Sequence, residues 1–365
     1  MLALMLSLSG CTSGIGDEPS ALPNAVTVTF SVVTPRPNPT ANNSRATWGD
    51  PYLPDAGSDF DNLLLTDQLR AVITSNNCTE EIAVTRLYCA GATEEESAIS
   101  YEFVGLIASA DIETLKTLTQ GKLHIMANAG TAPQLKSETA FTLAAFQPGN
   151  DFKAIPMWGV KTIDLSGVKQ NERLDVGTVE LLRAMAKVEV IIATDPQGTA
   201  ENFNTISAIN SLSINRLNRS GFLLPEDWAA ASETKDVTKD SNPLRVNDSP
   251  AEATSFTPAT DKKSATFYVT ECLNTAENEL WIDLDYNSDA ESGKTDRIYF
   301  CSYGTDGKPA RENRYDIRRN HLYRFTVRRN GNELAVSADV VPYESIELEP
   351  DFGLTPKPAD KAQTE

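Results

Sequence analysis

The sequence predicts an all-β protein built as two antiparallel β-sandwich domains in tandem. Short segments in which apolar and polar residues alternate recur along most of the chain, which is the period of a half-buried strand. A single stretch carries a helical period, and turn residues, among them an Asn-Gly pair at 330–331, separate the alternating segments.

The first strand is read from Val26, Val28, Phe30 and Val32, with Thr27, Thr29 and Ser31 between them. Residues 34–59 hold five prolines and no periodicity; proline lacks a ladder donor, so a long exposed loop is expected there. Strands follow at 69–74, 83–89, 101–107 and 122–128. Residues 111–118 form the expected helix, capped by Asp111 and presenting Ile112, Leu115 and Leu118 on one face. Segments 154–160 and 176–182 complete a first domain.

At Leu181 the character changes, and a domain boundary is placed there: residues 181–193 begin helix-friendly and end as a β run before the turn Asp195-Pro196-Gln197-Gly198. Strands are then expected at 206–217, 265–270, 279–286 and 297–303, with the polar stretch 226–263 as a large surface loop. Asn330-Gly331 joins 321–329 to 333–341 as a hairpin. Residues 345–352 alternate once more, and 355–365 are a polar tail.

A chain of 365 residues with 40% hydrophobic and 23% charged side chains can bury a core in each of two or three domains. Its 51 acidic and 32 basic residues give a net charge of −19, and no Lys/Arg cluster offsets it, which argues against a nucleic-acid or anionic-lipid partner held by its phosphates. The two histidines, His124 and His321, lie in strand-like runs and read as strand residues rather than ligands. Asp283, Asp285 and Asp289 lack the glycine and distal glutamate of a calcium loop and read as solvated surface. Trp48, Trp158, Trp228 and Trp281 are dispersed and make no sugar-stacking platform legible from spacing. No metal, cofactor or enzymatic activity is expected.

Residues 1–11, MLALMLSLSGC, are an apolar stretch ending in Leu8-Ser9-Gly10-Cys11, which resembles the lipobox of bacterial lipoproteins, where the cysteine carries diacylglycerol. A Ser/Gly/Pro-rich tether follows at once. No later apolar run approaches the ~20 residues of a membrane span, so attachment is expected through the lipid at Cys11. Four further cysteines, Cys78, Cys89, Cys272 and Cys301, are open to two readings: local disulfides Cys78–Cys89 and Cys272–Cys301 in an oxidising compartment, or buried free thiols.

Several segments together resemble the fimbrillin family, subunits of the type V pili assembled on the outer membrane of Bacteroidia-type bacteria. They are the lipobox Cys11, VTVTFSVV followed by a loop with Ser44-Arg45-Ala46, KLHIMANAG at 122–130, IPMWGV at 155–160, LLRAMAKVEV at 181–190, FYVTECL at 267–273 and IRRNHLYRFTV at 317–327. Their order and spacing carry the likeness.

The resemblance implies two transthyretin-like sandwiches exported as a lipoprotein. In the stalk subunits of that family an arginine-specific extracellular protease removes the lipidated first strand, and a C-terminal strand of another subunit fills the groove. Carried over, residues 1–11 are the signal with its lipobox cysteine and 12–45 the tether, removable strand and cleavage loop, with the cut at Arg45-Ala46. The two sandwiches become 46–180 and 181–354, and the polar tail 355–365. Arg36 is the poorer site because Pro37 follows it.

Two donor segments are open. Leu334, Val336, Ala338 and Val340 mimic the alternation of the first strand but are tied down by the hairpin, whereas Ile346, Leu348 and Phe352 lie beyond Pro342 without such a turn. The partners implied are other copies or related pilins, the protease, and host or bacterial surface ligands. The location implied is the outer membrane for the lipidated precursor and an extracellular fimbrium for the mature form. A non-cleaved anchor or tip subunit, or a surface lipoprotein binding glycans or proteins, shares these features and would retain Cys11. An exported hydrolase with a carboxylate pair ranks last, since no pair can be placed in a cleft.

Overall fold

Alternation becomes strand almost everywhere it occurs in the computed structural model, which describes residues 24–36, 57–95, 97–129, 135, 140–142, 154–193, 206–218, 220–237, 253–289 and 291–343. The first half contains β1 (Val26–Pro35), β2 (Arg70–Ser75), β3 (Glu81–Glu94), β4 (Ala98–Ile107), α1 (Ser109–Thr117), β5 (Gln120–Ala127), β6 (Ala140–Thr142), β7 (Met157–Asp164), β8 (Arg173–Val179) and β9 (Leu182–Arg183). The second contains β10 (Ala186–Ile192), β11 (Ile206–Ile214), β12 (Ser220–Phe222), β13 (Thr254–Phe256), β14 (Ser264–Val269), β15 (Trp281–Ser288), β16 (Lys294–Tyr299), β17 (Cys301–Tyr303), β18 (Pro309–Arg314), β19 (His321–Asn330) and β20 (Glu333–Pro342). The all-β class is as expected.

The first half forms one ladder in the order β8-β1-β4-β3-β2-β5-β7-β9. β3 is its joint: residues 81–84 pair with β2 and residues 85–94 with β4. The changeover coincides with a register break between Thr85 and Tyr88 and with Arg86 at φ +48°, a bulge that re-aims the strand. The second half holds two four-stranded sheets, β14-β10-β19-β20 and β13-β11-β15-β16. Apolar side chains from β1, β5, β10, β15 and β19 belong to one contiguous core.

Several expectations need correction. The helix starts at Ser109 with Ala108 as its N-cap; Asp111 sits in the first turn, where its charge favours the helix N-terminus without capping it. Residues 226–237 are a loop as expected, but one side of it is packed onto the sheet rather than solvated. Thr234 and Ala231 are buried, and Trp228 packs with Trp158 and Val160 on the face of β5 and β7 opposite to Leu123 and Ile125. Thr234 Oγ1 accepts from Val160 N at 2.8 Å, and Lys122 Nζ donates to the Ala229 carbonyl at 2.7 Å. The stretch hides its role because its few apolar residues have no period and stand among charges.

Residues 297–303 are two strands, broken where Phe300 turns inward to meet Tyr323 and Phe325 edge-on. The hairpin turn centres one residue later than the Asn-Gly pair suggests: Asn330 pairs with Glu333, and Gly331 takes φ +62° at the first central position, as a type II′ turn requires.

The disulfide reading is corrected: none of Cys78, Cys89, Cys272 and Cys301 is disulfide-bonded, and the buried-thiol alternative holds for Cys272 and Cys301 only, Cys78 and Cys89 being half-buried. Cys78 lies before β3 and Cys89 lies well along it; at about 3.3 Å per residue this places them some 20–25 Å apart, beyond any S–S reach. Cys272 and Cys301 are buried, and burial pushes both thiols up to about 11.

Candidate functional site in the first and last strands

β1 alternates because its apolar residues fill the core while Thr27, Thr29 and Ser31 lie on the opposite face of the sheet. Val26, Val28 and Val32 are fully buried, and Phe30, also buried, stacks on Phe103 with ring centres 5.4 Å apart. On the opposite face Arg173 Nε donates to Thr29 Oγ1 at 3.0 Å and Ser31 meets Thr178 at 3.1 Å. The backbone is held on both sides. Ten antiparallel pairs, from Val26 with Ile107 to Pro35 with Ala98, join β1 to β4, and a parallel ladder broken between Thr29 and Ser31 joins it to β8. Among the described residues β8 has no other hydrogen-bonded strand neighbour.

At its end Arg36 donates its backbone N–H to Ser97 at 2.7 Å, and the chain is next described at Gly57. Arg45 and Ala46 therefore lie outside the described residues, as do Cys11, Ile346, Leu348 and Phe352.

β20 carries the same alternation in a different setting. Among the described residues it is the edge strand of its sheet and pairs with β19 alone, through ten uninterrupted pairs. Val336 is buried, whereas Leu334, Ala338 and Val340 are half-buried against the common core. Its outer edge is partly covered: Val336 N donates to the Gly307 carbonyl at 3.1 Å. Gly307, at φ +80°, has room for no Cβ, since one would lie 2.5 Å from that of Ala335.

Just beyond β20 the sequence offers no signal, yet the structure gathers polar groups there. Asp61 is fully buried. Its Oδ1 accepts from Tyr268 OH at 2.7 Å and Tyr343 OH at 3.2 Å, and its Oδ2 from Lys187 Nζ at 2.9 Å and from the backbone N–H and hydroxyl of Ser58, each at 2.7 Å. Arg183 donates to the Asp61 carbonyl at 2.7 Å, bonds Asn62 and Asn320, and lies 4.1 Å over the Tyr343 ring. Burial alone would raise the carboxyl pKa, but the Lys187 ammonium, the Ser58 donors and Arg183 outweigh it and bring it down to about 2.

The other singled-out residues serve the strands. His124 is buried in β5 against Thr74 at 3.3 Å, and burial reinforced by Lys122 pushes its pKa down to about 3, so it is neutral. His321 Nδ1 meets the Arg319 carbonyl at 2.7 Å. Asp283 pairs with Arg297, and Asp285 accepts from Asn210. Among the described residues no cluster of three or more metal-ligating side chains occurs, and no helix is long and apolar enough to cross a membrane.

No protein-family model and no curated protein sequence matches the chain. Solved structures similar to it include the tip fimbrial protein Mfa3 from Porphyromonas gingivalis with a C-terminal truncation, at 11% identity and TM-score 0.48 over 87% of this chain and 100% of that one. Another is a fimbrilin (FimA) from Porphyromonas gingivalis W83, at 13% identity and TM-score 0.48 over 90% of this chain and 100% of that one.

Proposed function

We propose that this chain is a structural subunit of a cell-surface fimbrium, made as a lipoprotein through Cys11 and without enzymatic activity. On this reading it consists of two transthyretin-like sandwiches, 46–180 and 181–354. An arginine-specific extracellular protease cuts Arg45-Ala46, β1 leaves with the lipid, and a C-terminal strand of another copy or a related pilin takes its place. The precursor belongs on the outer membrane and the mature subunit in an extracellular fimbrium that supports adhesion.

The observation that carries this reading is the position of β1. It is an interior strand with four buried apolar side chains, yet it is the first described strand, and the proline-rich segment after it contains the candidate cleavage bond. Its departure would expose the inner edges of β4 and β8 together with an apolar groove, a strongly associating surface. A strand returning four such side chains regains about 1.5–3 kcal/mol each, roughly 6–12 kcal/mol gross before ordering costs. Backbone bonds add about 0.5–1.5 kcal/mol apiece. Such a joint is long-lived without a covalent link.

N-terminal sequencing of the protein recovered from intact cells tests it. A mature chain beginning at Ala46 is the expected result. A chain that keeps a lipidated Cys11 in the assembled surface form would instead make this a retained anchor, tip or ligand-binding lipoprotein.

A further inference from the structure

The groups around Asp61 occupy one end of the β14-β10-β19-β20 sheet. Lys187 is the second residue of β10, Tyr268 lies at the paired end of β14, Asn320 immediately precedes β19, and Tyr343 immediately follows β20. The segment 57–62 therefore meets the ends of β10, β14 and β20 directly and that of β19 through Arg183, which bonds both Asn62 and Asn320. Tyr343 is held three ways: its hydroxyl by Asp61, its ring by Arg183, and its backbone N–H by the Asn320 carbonyl at 3.0 Å. Gly57 closes the arrangement at φ +83°, where a Cβ would meet Asp61 Cβ at 2.9 Å and Tyr343 Cε1 at 3.1 Å.

A buried carboxylate with this many donors does little for net stability compared with an apolar cluster, but it fixes position, because each donor loses its partner if the segment shifts. Lys187 also contacts Glu189 at 3.2 Å, and Glu189 is held by Arg324 at 2.7 Å, so the charges are matched around the carboxylate.

We propose that Asp61 is a clamp that fixes the boundary between the parts of the chain that exchange and the parts that do not. It pins residues 57–62 behind the cleavage segment and Tyr343 at the foot of β20. What is removed then ends before Gly57, and what is donated begins at Glu344. β20 stays paired with β19 instead of peeling away, so Leu334, Val336, Ala338 and Val340 are frame rather than donor. The consequence for assembly rests on the strand-exchange reading above, whereas the clamp itself is a property of the monomer.

Two measurements separate the two ideas. Thr326 and Ser337 are direct partners across the β19–β20 hairpin, a spacing of about 5.5 Å between Cα atoms that a disulfide can bridge. The double variant Thr326→Cys, Ser337→Cys, nicked with trypsin at Arg45, is expected to polymerise equally fast oxidised and reduced. Block by oxidation with recovery on reduction would mean that β20 is donated and would overturn the proposal.

Hydrogen exchange on the intact monomer reads the clamp independently of polymerisation. In Asp61→Asn with Lys187→Met, amide protection at 57–62 and 338–343 is expected to fall together by at least tenfold while β1 and β4 keep theirs. Tyr343→Phe should do the same more weakly and serves if the double variant does not fold. Loss confined to one of the two segments, or spread over the whole chain, refutes the clamp. If the nicked wild-type protein forms no polymer, the strand-exchange reading fails and the exchange data alone judge the clamp.

Discussion

β1 and β20 each place four apolar residues at every second position, with Ala335 interrupting the polar set of β20, yet the fold treats them differently. Among the described residues β1 has a neighbour on each side and buries all four apolar side chains; β20 has one strand neighbour and fully buries only Val336 of its four. Alternation reports which face of a strand is inside, but it is silent on how many edges are covered. The cost of losing each strand follows from the edges as much as from the side chains.

The largest expected effect comes from breaking this contrast in the core. Phe30→Ala should cost about 3–5 kcal/mol in denaturant unfolding, since it empties a stacked, buried ring site. Val340→Ala, at a half-buried edge position, should cost under about 1 kcal/mol. Equal costs would mean that the two strands are equivalent after all.

Acid acts on the two strands' surroundings at different pH, because different groups titrate beside each. His124, in the half that holds β1, has a folded pKa of about 3 against an ordinary value of 6.5. Between these values the unfolded chain binds the proton and the folded one does not, so stability falls as the pH is lowered through that window, by about 1.4 kcal/mol per unit where the difference is full. Lowering the pH from 6.5 to 4.5 should therefore remove roughly 2–3 kcal/mol, and His124→Gln should flatten the profile.

Asp61, at the foot of β20, has a folded pKa of about 2 against 3.8, so its contribution is intact above pH 3.8 and is lost as the pH falls towards 2. About 2 kcal/mol is involved, and amide exchange near Tyr343 should respond only in that lower range, after the region around His124 has weakened.

The smallest effect concerns the turn that ties β20 to β19. Gly331→Ala forces an L side chain into φ +62° and should cost about 1 kcal/mol, read as a lowered Tm with the hairpin register retained. A larger loss would show that the turn, rather than the paired strands, fixes the register.

Much of the strand pattern was legible because burial imposes a two-residue period: β1, β5, β10 and β19 all lie where alternation or a continuous apolar run places them. The interior position of β1 was not legible, since its neighbour β8 is 147 residues away at the Ser31–Thr178 contact and pairs in parallel. Asp61 was least visible of all. It lies in a stretch rich in glycine, serine and aspartate that reads as loop, and its partners Lys187, Tyr268 and Tyr343 stand 126, 207 and 282 residues away. Residues 226–237 failed for a related reason: Trp228, Ala231 and Val237 pack as individuals, without a period to announce them.

The mixed ladder around β1 also imposes a polarity. β4 runs against β1 and β8 runs with it, so a strand that recovers both sets of backbone bonds must enter in the direction of β1 and no other. If β1 were replaced as proposed, the heading of the incoming strand would be set by these two neighbours before any side chain is tested. On the strand-exchange proposal the groove and the donated segment are different surfaces, so repeated insertion would join unlike faces and give a directional filament wherever the rotation between copies does not close a ring.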